Sequence, residues 1–132
     1  MKQTPKTGDT MSPAIVESYL KIQTALASDS VDGVRANAGN IATAATALGA
    51  PAMRIDTAAL QLASAADLPD ARTKFGSLSD ALVDYMTGLH LALPAGVREA
   101  FCPMVRKPWL QEGSTLANPY YGSAMSTCGQ FR

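Results

Sequence analysis

Val97-Arg98-Glu99-Ala100-Phe101-Cys102-Pro103-Met104-Val105-Arg106-Lys107-Pro108-Trp109-Leu110-Gln111-Glu112 is the stretch on which the fold turns. Its first five residues, Val97 to Phe101, read as a brief helix following Pro94. Pro103 and Pro108 then remove backbone donors, and residues 102–118 read as a long irregular segment. Loops of that length inside compact domains are uncommon and often functional. On this reading no strand-like alternation of any length competes.

Working outward toward the C-terminus, Asn118-Pro119 carries the signal of a helix start, Asn as N-cap and Pro at the first helical position. Gly129 suits the residue just past a helix end. A short closing helix is therefore expected between them, with Met125 and Cys128 three apart on one face.

Toward the N-terminus, four amphipathic segments appear. Ser12-Pro13 opens the first, which carries Ile15, Tyr19, Ile22 and Leu26 and runs to about Ala27. Ser28-Asp29-Ser30 breaks it and caps the second, whose stripe is Val34, Ala38, Ile41, Ala45 and Leu48, ended by Gly49 and Pro51. Ile55, Ala59, Leu62 and Ala66 mark a shorter third. Asp67-Leu68-Pro69 opens a fourth with Phe75, Leu78, Leu82, Tyr85 and Leu89 inside, bracketed by Gly88 and Pro94. The only short apolar run resembling a strand is Leu89 to Leu93. The fold class expected is all-α: an antiparallel four-helix bundle with an irregular C-terminal loop and a short closing helix. Residues 1–11 read as a flexible tail and 12–132 as a single domain.

Composition narrows the function classes. A hydrophobic content of 47% against 17% charged residues belongs to a chain with a packed core. Formal net charge is zero, without the basic excess that phosphate binding demands. No apolar run reaches the length of a membrane span, and the polar start Lys2 to Asp9 is no signal peptide. Ser77, Ser79 and Asp80 do not build a triad around the sole histidine, His90. There is no phosphate loop, no CxxC pair and no paired-carboxylate motif, so nothing argues for an enzyme.

The remaining chemistry is sulfur. Cys102 and Cys128 are the only cysteines in 132 residues. Met104 follows the first by two positions and Met125 precedes the second by three. Thiolates and thioethers are soft ligands that favour Cu(I) over harder divalent ions, and because a coordinating thiol must lose its proton, binding weakens at low pH. The residues leave a second reading open. A Cys102–Cys128 disulfide closing about 27 residues would contribute about 3–4 kcal/mol in the chain-entropy model and leave the methionines as packing. Zinc on both cysteines, His90 and one more ligand fits no zinc spacing. Trp109 reads as a lid packing the loop onto the bundle, Asn118 as a helix cap, and Arg106-Lys107 as a solvated basic step.

The blocks Cys102-Pro103-Met104, Trp109-Leu110-Gln111, Asn118-Pro119-Tyr120-Tyr121-Gly122, Met125 and Cys128-Gly129 resemble, in this order, a bacterial helical domain of unassigned activity. That domain occurs fused to heavy-metal (copper/silver) efflux membrane-fusion adaptor proteins or as a free periplasmic protein. Tyr19-Leu20, Ala25 to Asp29, Phe75 and Leu78-Ser79 extend the resemblance over most of residues 12–130. It implies a periplasmic protein that buffers Cu(I) or Ag(I), or passes it to an efflux adaptor or pump, with Cys102, Met104, Met125 and Cys128 as ligands. The adaptor's hairpin, lipoyl and barrel parts are missing from this chain, which implies a free-standing protein or a single domain of one.

Overall fold

The computed structural model describes residues 9–132. The expected flexible tail lies, over residues 1–8, outside the described residues. Residues 9–11 are tied down. The Ala92 N–H donates to the Asp9 carbonyl at 2.8 Å and the Met11 N–H to the Ala92 carbonyl at 2.9 Å, and the Met11 side chain is fully buried.

Four helices follow: α1 Pro13–Ala27, α2 Val34–Leu48, α3 Met53–Ala63 and α4 Leu68–Leu89. Local chemistry explains their ends. Pro13 begins α1, its fixed φ suited to the first turn. A left-handed Gly33, not Ser28-Asp29-Ser30, leads into α2. Asp67 accepts the Asp70 N–H at 2.9 Å while the Asp70 carboxylate accepts the Ala66 N–H at 2.9 Å. This reciprocal pair uses two donors that the start of α4 leaves without helical partners. Beyond Leu89, His90 turns left-handed and Leu91 donates back to the Met86 carbonyl, which stops the helix.

The all-α expectation fails beyond Pro94. The segment expected as a brief helix is strand β1, Val97–Cys102, and the middle of the expected irregular loop is strand β2, Lys107–Glu112. They form an antiparallel hairpin in the register Val97↔Glu112 to Cys102↔Lys107. Its turn spans residues 103–106, with Arg106 in the left-handed region. A third strand, β3 Gln130–Phe131, pairs with the other edge of β1 through Ala100↔Phe131 and Phe101↔Gln130, giving the order β2-β1-β3. The expected closing helix is reduced to a single 3-10 turn at Gly122–Ala124.

The physical reasons are visible in the strands. Pro103 lies in the hairpin turn, where its missing donor costs no ladder bond. Pro108 is tolerated because β2 is an edge strand. Pro108 to Gln111 are all buried, so β2 shows none of the in-out alternation that marks a half-exposed strand. With only two residues, β3 carries no periodic signal at all.

The sheet also changes how the helices meet. Each helix packs on the next in sequence, and β2 lies against both α1 and α4. Across this junction Tyr19 of α1 stacks on Phe75 of α4 with ring centroids 4.7 Å apart. The Tyr19 hydroxyl shares a 2.7 Å hydrogen bond with Ser79 and accepts the Leu110 N–H of β2 at 3.2 Å. Phe75 continues to Tyr120 at 5.9 Å, and Tyr120 meets the edge of Trp109 at 6.2 Å. This aromatic column joins helices to sheet. Each large apolar side chain fully buried in it contributes about 1.5–3 kcal/mol relative to exposure.

Candidate functional site

The two cysteines come from different segments that meet at one end of the sheet. Cys102 ends β1 and is fully buried, its backbone paired with Lys107. Cys128 is half-buried and precedes β3 by two residues. The pairing of β3 with Ala100 and Phe101 carries Cys128 back to the end of β1. There the two cysteines are near neighbours, and both are free thiols. Burial first, then the neighbouring Cys102, pushes the Cys128 thiol above the ordinary thiol range. At neutral pH Cys128 is therefore held toward its protonated form and yields its proton only to a strong competitor for the sulfur.

The methionines lie at the surface. Met104 sits in the hairpin turn and is 62% exposed; Met125 follows the 3-10 turn and is 37% exposed. Met125 and Cys128 do not share a helix face as expected. One turn joins them, with the Cys128 N–H donating to the Met125 carbonyl at 3.1 Å. The fold thus brings the two thiols together and leaves the two thioethers in the exposed segments beside them. With Val105, these methionines make up half of the six large hydrophobic side chains exposed among the described residues.

His90, weighed as a zinc ligand, is exposed at the end of α4 beside a surface hollow that Glu99 also lines. Among the described residues no three His, Cys, Asp or Glu side chains are grouped to hold a metal ion. Lys107, read as half of a solvated basic step, bonds Asp80 of α4. Trp109 is fully buried, as a packing lid would be, and its N–H donates to the Gln111 side chain at 2.9 Å. The edge of its ring lies so close to Gly129 that a Cβ there would sit 2.7 Å from it. Glycine at 129 is required by this approach and by φ of +136°.

Sequence reading missed the polar frame around the site. Gln111 is buried and accepts the Ala117 N–H at 2.9 Å while donating to the Thr115 carbonyl at 2.7 Å. Gln23 of α1 donates to the Ala117 carbonyl at 2.8 Å. Arg72 of α4 donates to the Asp29 carboxylate at 2.7 Å and the Pro119 carbonyl at 3.0 Å. Ser123 bonds the same carboxylate, and together these bonds hold Asp29 below the usual carboxylate range. The available signal was a set of amides in a segment too apolar to be a solvated loop. Their partners are up to 94 residues away, beyond any local pattern.

No helix among the described residues is long and apolar enough to cross a membrane. No family model matches the chain, and neither curated proteins nor solved structures give a match.

Proposed function

We propose that the protein carries Cu(I), with Ag(I) as a second soft ion, on the thiolates of Cys102 and Cys128, helped by the thioethers of Met104 and Met125. It would act in the periplasm, buffering the ion or passing it to a heavy-metal efflux adaptor or pump. The observation that carries this reading is the proximity of the only two cysteines of the chain, which the β1–β3 pairing brings to one end of the sheet. Two soft donors already side by side suit a soft monovalent ion. One half-buried sulfur and two exposed thioethers offer a route for ligand exchange. Zinc is the weaker candidate because no third His, Cys, Asp or Glu joins the pair among the described residues.

The test is Cu(I) titration of reduced protein against a chromogenic chelator. Competition at one equivalent, abolished in Cys102→Ser/Cys128→Ser and weakened in Met104→Leu/Met125→Leu, is the expected result. Competition that is absent, or unchanged in the double serine variant, sinks the copper reading. Affinity should rise with pH through and above neutrality, since the raised Cys128 thiol must lose its proton to bind.

The same proximity favours a second reading, a metal-free interaction module fastened by a Cys102–Cys128 disulfide. Counting reactive thiols in protein purified without reductant separates the two. None supports the disulfide; two exclude it.

A further inference from the structure

We infer that Asn118 is the positioning residue of the cysteine pair, setting where Cys128 stands relative to Cys102. This rests on the reading of the pair as the functional site.

The two thiols are held by different means. Cys102 is fixed within the β1–β2 ladder. Cys128 ends an eleven-residue excursion, 118–128, that contains one 3-10 turn and no strand. Asn118 closes that excursion from inside. Its side-chain oxygen accepts the N–H groups of Tyr120 at 2.7 Å and Tyr121 at 3.2 Å. Its side-chain nitrogen donates to the carbonyl of Cys128 itself at 2.8 Å. Its backbone N–H donates to the Ser126 carbonyl at 2.8 Å, and its carbonyl accepts the Gly122 N–H at 2.9 Å. One fully buried residue thus ties the start, middle and end of the loop.

A carboxamide is the group this geometry requires. It accepts two N–H bonds through oxygen and donates to a carbonyl through nitrogen. Aspartate has no donor and would face the Cys128 carbonyl with a buried acceptor. Serine keeps a turn acceptor but is too short to reach across the loop. The residue after Cys128 is fixed as well, because Gly129 lies against Trp109. Beside the backbone bond from Cys128 to Met125, the Asn118 bond is therefore the side-chain restraint that acts on Cys128 from its own loop while leaving the strands untouched.

The experiment measures the thiol pair without metal, so it is independent of whether copper binds. Protein is equilibrated with reduced and oxidised glutathione. A Cys128 thiolate attacks the glutathione disulfide, forming a mixed disulfide and releasing one glutathione thiolate. The Cys102 thiolate then displaces the second, and the two protein protons pass to the two released glutathiones. The equilibrium constant reports the effective concentration of one thiol at the other.

Asn118→Asp should lower that constant by about ten-fold or more, because the pair loses its fixed geometry. Gln23→Ala is the control: it removes a bond to the adjacent Ala117 carbonyl and should leave the constant within about two-fold, although both variants lose stability. Should Asn118→Asp fail to fold, Asn118→Ser, neutral and smaller, takes its place. A fall no larger than that of Gln23→Ala, with the variant folded, overturns the inference. If the constant falls as expected while no variant ever competes for Cu(I), the positioning role stands and the copper reading is lost.

Discussion

The helical part of this protein and its C-terminal sheet are held together by different forces. Inside the helices the core is apolar: Ile15, Ile22, Leu26, Ile41, Ile55, Leu62, Leu78 and Leu82 are all fully buried. The segment after Pro94 is cemented by side chains bonding to backbone, through Gln111, Asn118, Tyr120 and, from the helices, Gln23 and Arg72. Apolar packing is non-directional and tolerates repacking. Directional bonds to carbonyls are not interchangeable, because a lost partner leaves a buried polar group unsatisfied. The difference places the rigid, sequence-sensitive part of the molecule around the cysteine pair.

The comparison can be broken most severely where the two regions meet. Phe75→Ala removes the ring between Tyr19 and Tyr120 and should cost about 3–5 kcal/mol. In urea, Trp109 fluorescence and far-UV circular dichroism should shift together. A sheet that stays folded while the helices melt would show that the two regions are not coupled through this column.

Gly129→Ala acts on the sheet side alone. Its new methyl meets Trp109 and the Phe101 carbonyl within 3 Å, and overpacking of this kind costs about 1–3 kcal/mol. Thermal melts followed at Trp109 check it. An unchanged midpoint would mean that the β3 end of the sheet gives way freely and that the cysteine pair is not rigidly framed.

Alkaline titration sharpens the comparison at the junction. Burial raises the phenols of Tyr19 and Tyr120, so the folded state holds protons that the unfolded state releases. That stability is present in full below pH 10, the ordinary tyrosine value, and is lost as pH rises further. Unfolding midpoints measured from pH 8 upward should fall most steeply above that point, and Tyr19→Phe should blunt the decline.

The smallest effect belongs to the outer face of the helices. Arg54 and Asp84 pair at 2.8 Å with both side chains more than half exposed. Arg54→Ala should change stability by about 0–1 kcal/mol, as denaturant midpoints would report.

Legibility followed the same division. The first helix was readable to within a residue because Pro13 and the spacing of Ile15, Tyr19, Ile22 and Leu26 are local statements about one helix. The start of α4 was readable from Asp67-Leu68-Pro69. The sheet was not. Only the second half of β1 alternates between half-buried and buried positions, β2 is buried on both faces, and Pro103 and Pro108 mimic a loop. Asn118 was legible as a cap, and its oxygen does accept two following N–H groups. Its second bond, to the Cys128 carbonyl, has no signature in the chain.

Sequence alone determined four amphipathic helices, the capped start of the fourth, and a group of soft ligands, Cys102, Met104, Met125 and Cys128, in the C-terminal segment. These follow from periodicity and composition, which are properties of short windows. Only the tertiary structure decided that the tail is a sheet, that the two cysteines become neighbours, and that the thioethers stay exposed. Strand pairing and buried amide bonds join residues far apart in the chain. Their free energy exists only once helices α1 and α4 supply the surface on which β2 lies.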